Sequence, residues 1–282
     1  MAITGNTELL ATKQDLIAAR VQREIQFRAK LAPFFMDVSQ YAVKGAQSIS
    51  FPKLTSFTAP DRASGVLGVP QALTASVDKL DLNHRPYCSW LVDANDEVQS
   101  TLNFQLEAAA RAASAHGRRF DTEVITEMET VGIATTTAGA FSYAISLEMR
   151  DAYLNNEGDM DMAAWVVSGD SETTLLNIDE YKRQDVYGPN GAIRAGQIGT
   201  LFGAPVIRHN ALGATTFYLA GKEGLVYGFQ RSPQLASENA IGYGTTAQLW
   251  AMDQLFGVKG VQLGEGTAAG TESALIIKDG NV

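Results

Sequence analysis

With 282 residues, 45% of them apolar and 19% charged, the chain has the length and composition for one elaborate domain or two small lobes and lacks the polar profile of a disordered segment. Twenty-two Lys and Arg against thirty-one Asp and Glu give a formal charge of −9, which repels phosphate and excludes a sequence-reading nucleic-acid protein. Cys88 is the only cysteine, so neither an intrachain disulfide nor a cysteine-rich zinc site can form, and a reducing compartment is expected. The start (Met1 to Gly5) carries no basic region followed by an apolar run, and no stretch has the apolar length of a membrane span.

In chain order, Ile17, Val21, Ile25 and Leu31 form one stripe of a helix predicted from Thr12 to Leu31, with Thr12 as N-cap and Pro33 as its stop. Its other face mixes Lys13, Arg20, Arg23, Arg28 and Lys30 with Asp15 and Glu24, the pattern of a solvated face. Two alternating segments follow as strands, Gln47 to Leu54 (Ile49, Phe51) and Leu73 to Leu82 (Leu73, Ala75, Val77). Leu80 and Leu82 have the opposite parity to Leu73, Ala75 and Val77, so a bulge or twist is expected near Asp78 if both sets are buried. The link from Thr55 to Ala72 is rich in Gly, Pro, Ser and Ala and long for a compact domain. A two-stranded ribbon this poor in large apolar groups cannot stand alone in water. No neighbouring segment is dedicated to covering it, so the cover is expected from another copy of the chain.

The strongest periodicity runs through Val98, Leu102, Leu106, Ala109, Ala113, Gly117, Phe120, Val124 and Met128. It predicts a helix from Asp96 to Met128, about 50 Å long, with a small-residue middle (Ala108 to Ala113) that another element can approach closely. Beyond Gly132 come a helix from Phe141 to Leu154, a strand Ala163 to Val167, a helix from Ser171 to Arg183 and a turn at Gly188, Pro189 and Gly191. Strands follow at Ala204 to Ile207 and Phe217 to Ala220, and Ala247 to Val261 reads as a strand pair with a hairpin. The Gly264 to Gly270 run loosens the tail.

Chemistry-bearing patterns are incomplete. Gly196 to Gly203 has glycines like a nucleotide loop but lacks both the Gly-Lys-Ser/Thr end and the Gly-x-Gly start, so the glycines are read as turn formers. Glu157, Asp159 and Asp161 alternate as in a calcium loop without its sixth-place glycine or its twelfth-place glutamate. Ser171 could serve a hydrolase with His84, His116 or His209 as base, but Asp170 or Ser171 is better placed to cap the following helix. His84 and Cys88 are separated by Pro86, which denies them a shared helix face. No catalytic, cofactor or metal residue is assigned.

The order of parts resembles the Hong Kong 97-type fold of tailed-phage major capsid proteins, an α+β fold. The most family-like stretch, Gly196-Gln197-Ile198-Gly199-Thr200-Leu201-Phe202-Gly203-Ala204-Pro205-Val206-Ile207, is similar to that family's "G-x-I-G-x-L-x-G-x-P-V" passage. The resemblance implies an N-terminal arm over 1–45, an E-loop hairpin over 46–90, a spine helix over 91–131, an axial domain over 132–234 and peripheral return strands with a tail over 235–282. It implies a non-enzymatic shell protein forming hexamers and pentamers around double-stranded DNA without sequence-specific binding, in the virion, after assembly in host cytoplasm. A separate scaffolding protein and a portal protein are the expected partners, with room for a decoration protein. Contact between copies is expected at Ile17, Val21, Ile49, Phe51, Leu54, Leu73, Val77 and Leu80. No glutamate matches the isopeptide motif of cross-linking relatives, so the shell is expected to be non-covalent. An encapsulin-like compartment enclosing cargo proteins is the alternative of the same fold.

Overall fold

Strands occupy the stretches where apolar residues alternate, and helices those where they recur every three or four positions. The computed structural model describes residues 29–54, 61, 70, 75–93, 104–137, 139–177, 199–213, 215–239, 247–261 and 273–280. Helix α1 is Phe104–Val131, about 42 Å long at 1.5 Å per residue. Ala109, Ala113, Phe120, Val124 and Met128 are buried along it as predicted, while Arg111, Arg118, Thr122 and Thr126 face outward. The predicted first turns, 96–103, and the helix over 12–28 lie outside the described residues.

Two sheets flank α1. The first has the order β1 (Met36–Asp37), β10 (Leu225–Asn239), β11 (Ala247–Gly260), β4 (Tyr87–Asp93). Its small-residue front half packs Ala109, Ala112 and Ala113 against Val92, Trp250 and Met252. The bulkier rear half joins Tyr227, Phe256, Tyr218 and Ile276, side chains from both sheets. The second sheet has the order β5 (Gly132–Ala134), β12 (Ser273–Lys278), β9 (Phe217–Gly221), β6 (Ala163–Val167), β8 (Ala204–Arg208), β7 (Thr200–Leu201). β6 and β9 are buried at every position, as continuous apolar runs require. Helices α2 (Tyr143–Asn155) and α3 (Gly169–Asn177) accompany it.

The predicted hairpin within 247–261 does not form. That segment is one strand, and its partner is Leu225–Asn239, from Leu225↔Gly260 to Asn239↔Gln248. The inward positions Trp250, Met252, Gln254 and Phe256 keep a period of two through it, which forbids a turn. Register shifts between Phe229 and Gln234 absorb Pro233, which cannot donate to the ladder. β10 therefore runs across the 234/235 boundary expected between the axial and peripheral segments. β4 and β12 were not expected as strands. β12 returns from the C-terminal region into the second sheet, between β5 and β9.

The ribbon pairs β2 (Ser48–Leu54) with β3 (Ala75–Asp81) in unbroken register, Ser48↔Asp81 to Leu54↔Ala75, so no bulge occurs near Asp78. Ile49 (6% exposed), Leu80 (0%) and Leu82 share a buried cluster with Val38, Val226 and Val261. The cover of the ribbon base is thus the chain's own β1 and β10 region, which corrects the expectation that Ile49 and Leu80 wait for a neighbouring copy. Val38 stands shortly before the ribbon, but Val226 and Val261 are far away in sequence, so nothing beside the ribbon announces most of its cover.

Gly257 marks how closely the two parts meet. A Cβ there would lie 2.2 Å from the Asp81 carbonyl oxygen, a backbone atom that cannot yield without moving the ribbon. Gly257→Ala should cost about 2–3 kcal/mol, from overpacking of a rigid contact. A shifted urea midpoint with unchanged slope would register it.

Candidate assembly surface

Most of the described residues considered for chemistry have structural occupations, His116 excepted. Ser168, not Asp170 or Ser171, caps α3: the Ser171 N–H donates to Ser168 Oγ at 3.1 Å and the Glu172 N–H to the Ser168 carbonyl at 3.0 Å. Ser171 is buried, with its Oγ 3.0 Å from Ser168 Oγ. Both nitrogens of His209 are engaged, Nε2 with Asp121 Oδ2 at 3.0 Å and Nδ1 as acceptor of the Ala211 N–H at 3.2 Å. His84 Nδ1 lies 3.6 Å from Glu123 Oε2, and its ring stacks on Phe256. Asp159 accepts the Asp161 N–H at the head of a 3₁₀ turn, the ordinary role of an acidic turn residue. Among the described residues no group of three or more His, Cys, Asp or Glu is arranged to hold a metal. No helix among them is long and apolar enough to cross a membrane.

A node that sequence reasoning missed joins three parts of the chain. Asp121 is buried on α1 and accepts the His209 Nε2–H, the Lys30 N–H at 3.1 Å and the Leu31 N–H at 3.4 Å. Lys30 Nζ donates to the Arg208 carbonyl at 3.2 Å, and Arg208 pairs with Glu172 on α3 at 3.1 Å. The segment leading out of the N-terminal region is thereby fastened to the helix and to the second sheet. The signal was available in the sequence: Asp121 sits four residues after Gly117 and three before Val124, inside the apolar stripe.

In the family-like passage, Leu201 and Ala204 close a two-residue hairpin whose central residues, Phe202 (φ 53°) and Gly203 (φ 90°), are both left-handed. Glycine adopts this readily, whereas Phe202 is held there by its ring, packed near Tyr143 and Trp165 with the Arg150 guanidinium over it at 5.4 Å. The loop after β5 is pinned by Glu148 of α2, whose Oε1 accepts the N–H and hydroxyl of Thr136 and the N–H of Thr137. The Thr136 and Thr137 hydrogen bonds lower the Glu148 carboxyl from its ordinary 4.5 to about 2. A depressed carboxyl stabilises the fold above its unfolded value, and that support is lost as pH falls from 4.5 towards 2. Glu148→Gln should therefore lower stability at neutral pH and flatten its fall over this acid range, as read by denaturant midpoints at stepped pH.

What remains open to partners is apolar surface. On the outer face of the first sheet Leu91 and Leu249 stand opposite each other, both exposed, with Tyr87 (76% exposed) two positions further along that face of β4. Val77 (58% exposed), across from Pro52 on the outward side of the ribbon, is bare. Tyr41 and Val43 add a second exposed apolar site beside the ribbon base. Single exposed apolar residues are ordinary, but a row on one sheet face marks a contact surface. Of the expected contact residues, Val77 is free, Phe51 is half-buried against the ribbon-base cluster, and Ile49 and Leu80 are sealed within the chain. Leu73, Ile17, Val21 and the side chain of Leu54 lie outside the described residues.

No family model matches the sequence, and no curated protein matches it. Solved structures do. A structure from Mycobacterium phage Che8 superposes with a TM-score of 0.68 at 16% identity, covering 86% of this chain and 90% of the other. The capsid structure of Cyanophage P-SCSP1u gives 0.69 at 11% identity, covering 87% and 86%. The chain has the Hong Kong 97-type fold. A virus-like particle from Pyrococcus furiosus also matches, with a TM-score of 0.63 at 9% identity over 94% and 98% of the two chains. Within the Hong Kong 97-type fold, α1 corresponds to the spine helix of the sequence reading and the β2–β3 ribbon to the base of its E-loop.

Proposed function

We propose that the chain is a major capsid protein whose copies assemble into the hexamers and pentamers of an icosahedral phage head around double-stranded DNA. The observation that carries this reading is the likeness to phage capsid chains along nearly the whole length, on a body that leaves apolar sheet and ribbon surface uncovered. Each copy touches several neighbours at once, so individually modest contacts add up to a durable shell. The charge of −9 suits a wall that contains DNA without trapping it. In this reading the second sheet with α2 and α3 contributes the axial lobe, and α1 with the first sheet the peripheral lobe, so the boundary expected at 234/235 moves to the start of β10. A scaffolding protein and a portal protein are the partners of this reading, with room for a decoration protein.

The likeness to a virus-like particle favours one second reading, a compartment of the same fold that encloses protein cargo. Analysis of purified particles separates the two: nuclease-protected double-stranded DNA supports the phage head, and a co-purifying enzyme within empty shells supports the compartment. With no isopeptide motif assigned, mature particles boiled in detergent should run as a single monomer band. A ladder of linked copies would contradict a non-covalent shell.

A further inference from the structure

The seam between the front half of α1 and the first sheet is unusually rich in buried polar atoms without hydrogen-bond partners. His116 is 1% exposed, and among the described residues neither ring nitrogen makes a hydrogen bond of normal geometry, the Met252 backbone lying beside the ring. On the facing strands Trp250 Nε1, Trp90 Nε1, Gln248 Oε1 and both amide atoms of Gln254 share this condition. Trp250 and Gln254 are themselves almost wholly buried. Such groups cost stability where they stand, and native proteins keep few of them, so a cluster calls for an explanation such as stored strain. We propose that this seam is an acid-opened joint in which protonation of His116 releases the front half of α1 from β4 and β11.

The geometry sets the direction of the change. A charged imidazolium this deeply buried would be poorly compensated. On β11 Asp253 lies on the opposite face from Met252, half exposed and paired with Arg231 of β10 at 2.8 Å, so its carboxylate acts on the ring only from a distance. On β4 the residue opposite Met252 is Cys88, whose thiol is pushed up by burial and stays uncharged. On α1 itself Glu107 pairs with Arg111, and Arg119 with Glu123. Burial pushes the His116 ring below its ordinary 6.5, with smaller opposing pulls from the Met252 backbone and Asp253. The folded seam therefore holds the neutral ring. Its stability is complete above 6.5 and declines as pH falls below that value.

Local opening is favoured over global unfolding because the two halves of α1 are held differently. Phe120, Val124, Ile125, Met128 and Val131 sit in the largest buried cluster, whereas the front half rests on alanines. Gly117, immediately after His116, is the weak point at which the helix can part. This inference concerns the single chain and does not depend on the shell reading.

Hydrogen–deuterium exchange of the full chain, corrected for the intrinsic pH dependence, tests it between about pH 7 and about pH 5. Peptides covering 105–117 should lose protection in acid while those covering 120–131 keep it. Both His116→Leu and His116→Gln should abolish that loss, the second serving if the first does not fold. Persistence of the acid response in either folded variant, or equal loss of protection along the whole of α1, would overturn the proposal. So would its disappearance in His209→Gln with His116 intact, which would place the sensor at the Asp121 node.

Discussion

Replacing residues 55–74 by an Asn-Gly turn should yield a subunit that unfolds at nearly the wild-type denaturant midpoint but forms at least ~100-fold fewer shells, the scale on which multivalent binding amplifies a lost contact. The split between folding and assembly follows from where the ribbon is anchored. Its base is fixed by Ile49, Leu80 and Leu82 against Val38, Val226 and Val261, all of which the deletion spares. The last pair of the ladder is Leu54↔Ala75, and a two-residue Asn-Gly turn closes an antiparallel pair at that point without changing register. Shortening the loop tenfold also lowers its closure entropy, a gain of up to about 2 kcal/mol for a freely flexible loop that the stiffness of a two-residue turn largely offsets. Circular dichroism with urea titration reads the folding arm, and sedimentation of assembled particles reads the other. A variant that unfolds outright would place the ribbon tip in the subunit core instead of between subunits.

Asp121→Ala should destabilise the subunit by about 3–5 kcal/mol, because leaving a buried donor without an acceptor costs about 1–3 kcal/mol and three donors lose theirs together. The loss exceeds one bond because Asp121 serves three donors at once. Without it the His209 Nε2–H and the Lys30 and Leu31 N–H groups remain buried with no acceptor. Asp121→Asn keeps a carbonyl acceptor but not the charge, so it should recover part of the loss. His209→Ala should cost less than Asp121→Ala, because the two backbone donors keep their carboxylate. Urea unfolding of the three variants gives this order directly. Equal, small effects would mean that the N-terminal segment is held by Leu31 and Phe35 packing alone.

Much of this architecture was legible where the signal is local. The α1 stripe from Ala109 to Met128 and the runs at 163–167, 204–207 and 217–220 all became the elements their periodicity announced. The losses are non-local. Tyr87–Asp93 is a strand because β11 offers it a partner, with Trp90 opposite Trp250, and Ser273–Lys278 is one because a slot lies open between β5 and β9. Neither partner is adjacent in sequence, and strand preference depends on such context. The ribbon shows the same limit: a segment judged too poor in apolar groups to stand alone is covered in large part by Val226 and Val261, from far along the chain. The contact surface was the least legible part. Exposure of Tyr87, Leu91 and Leu249 depends on which face of the sheet α1 takes, and alternation alone does not say which face that is.

Electron microscopy of the purified full-length chain, with sedimentation over a wide concentration range, tests the central claim most directly. Closed icosahedral particles, or the five- and six-membered rings from which they are built, are the expected result. A monodisperse monomer at every concentration, unchanged by co-expression with a scaffolding protein, would contradict it.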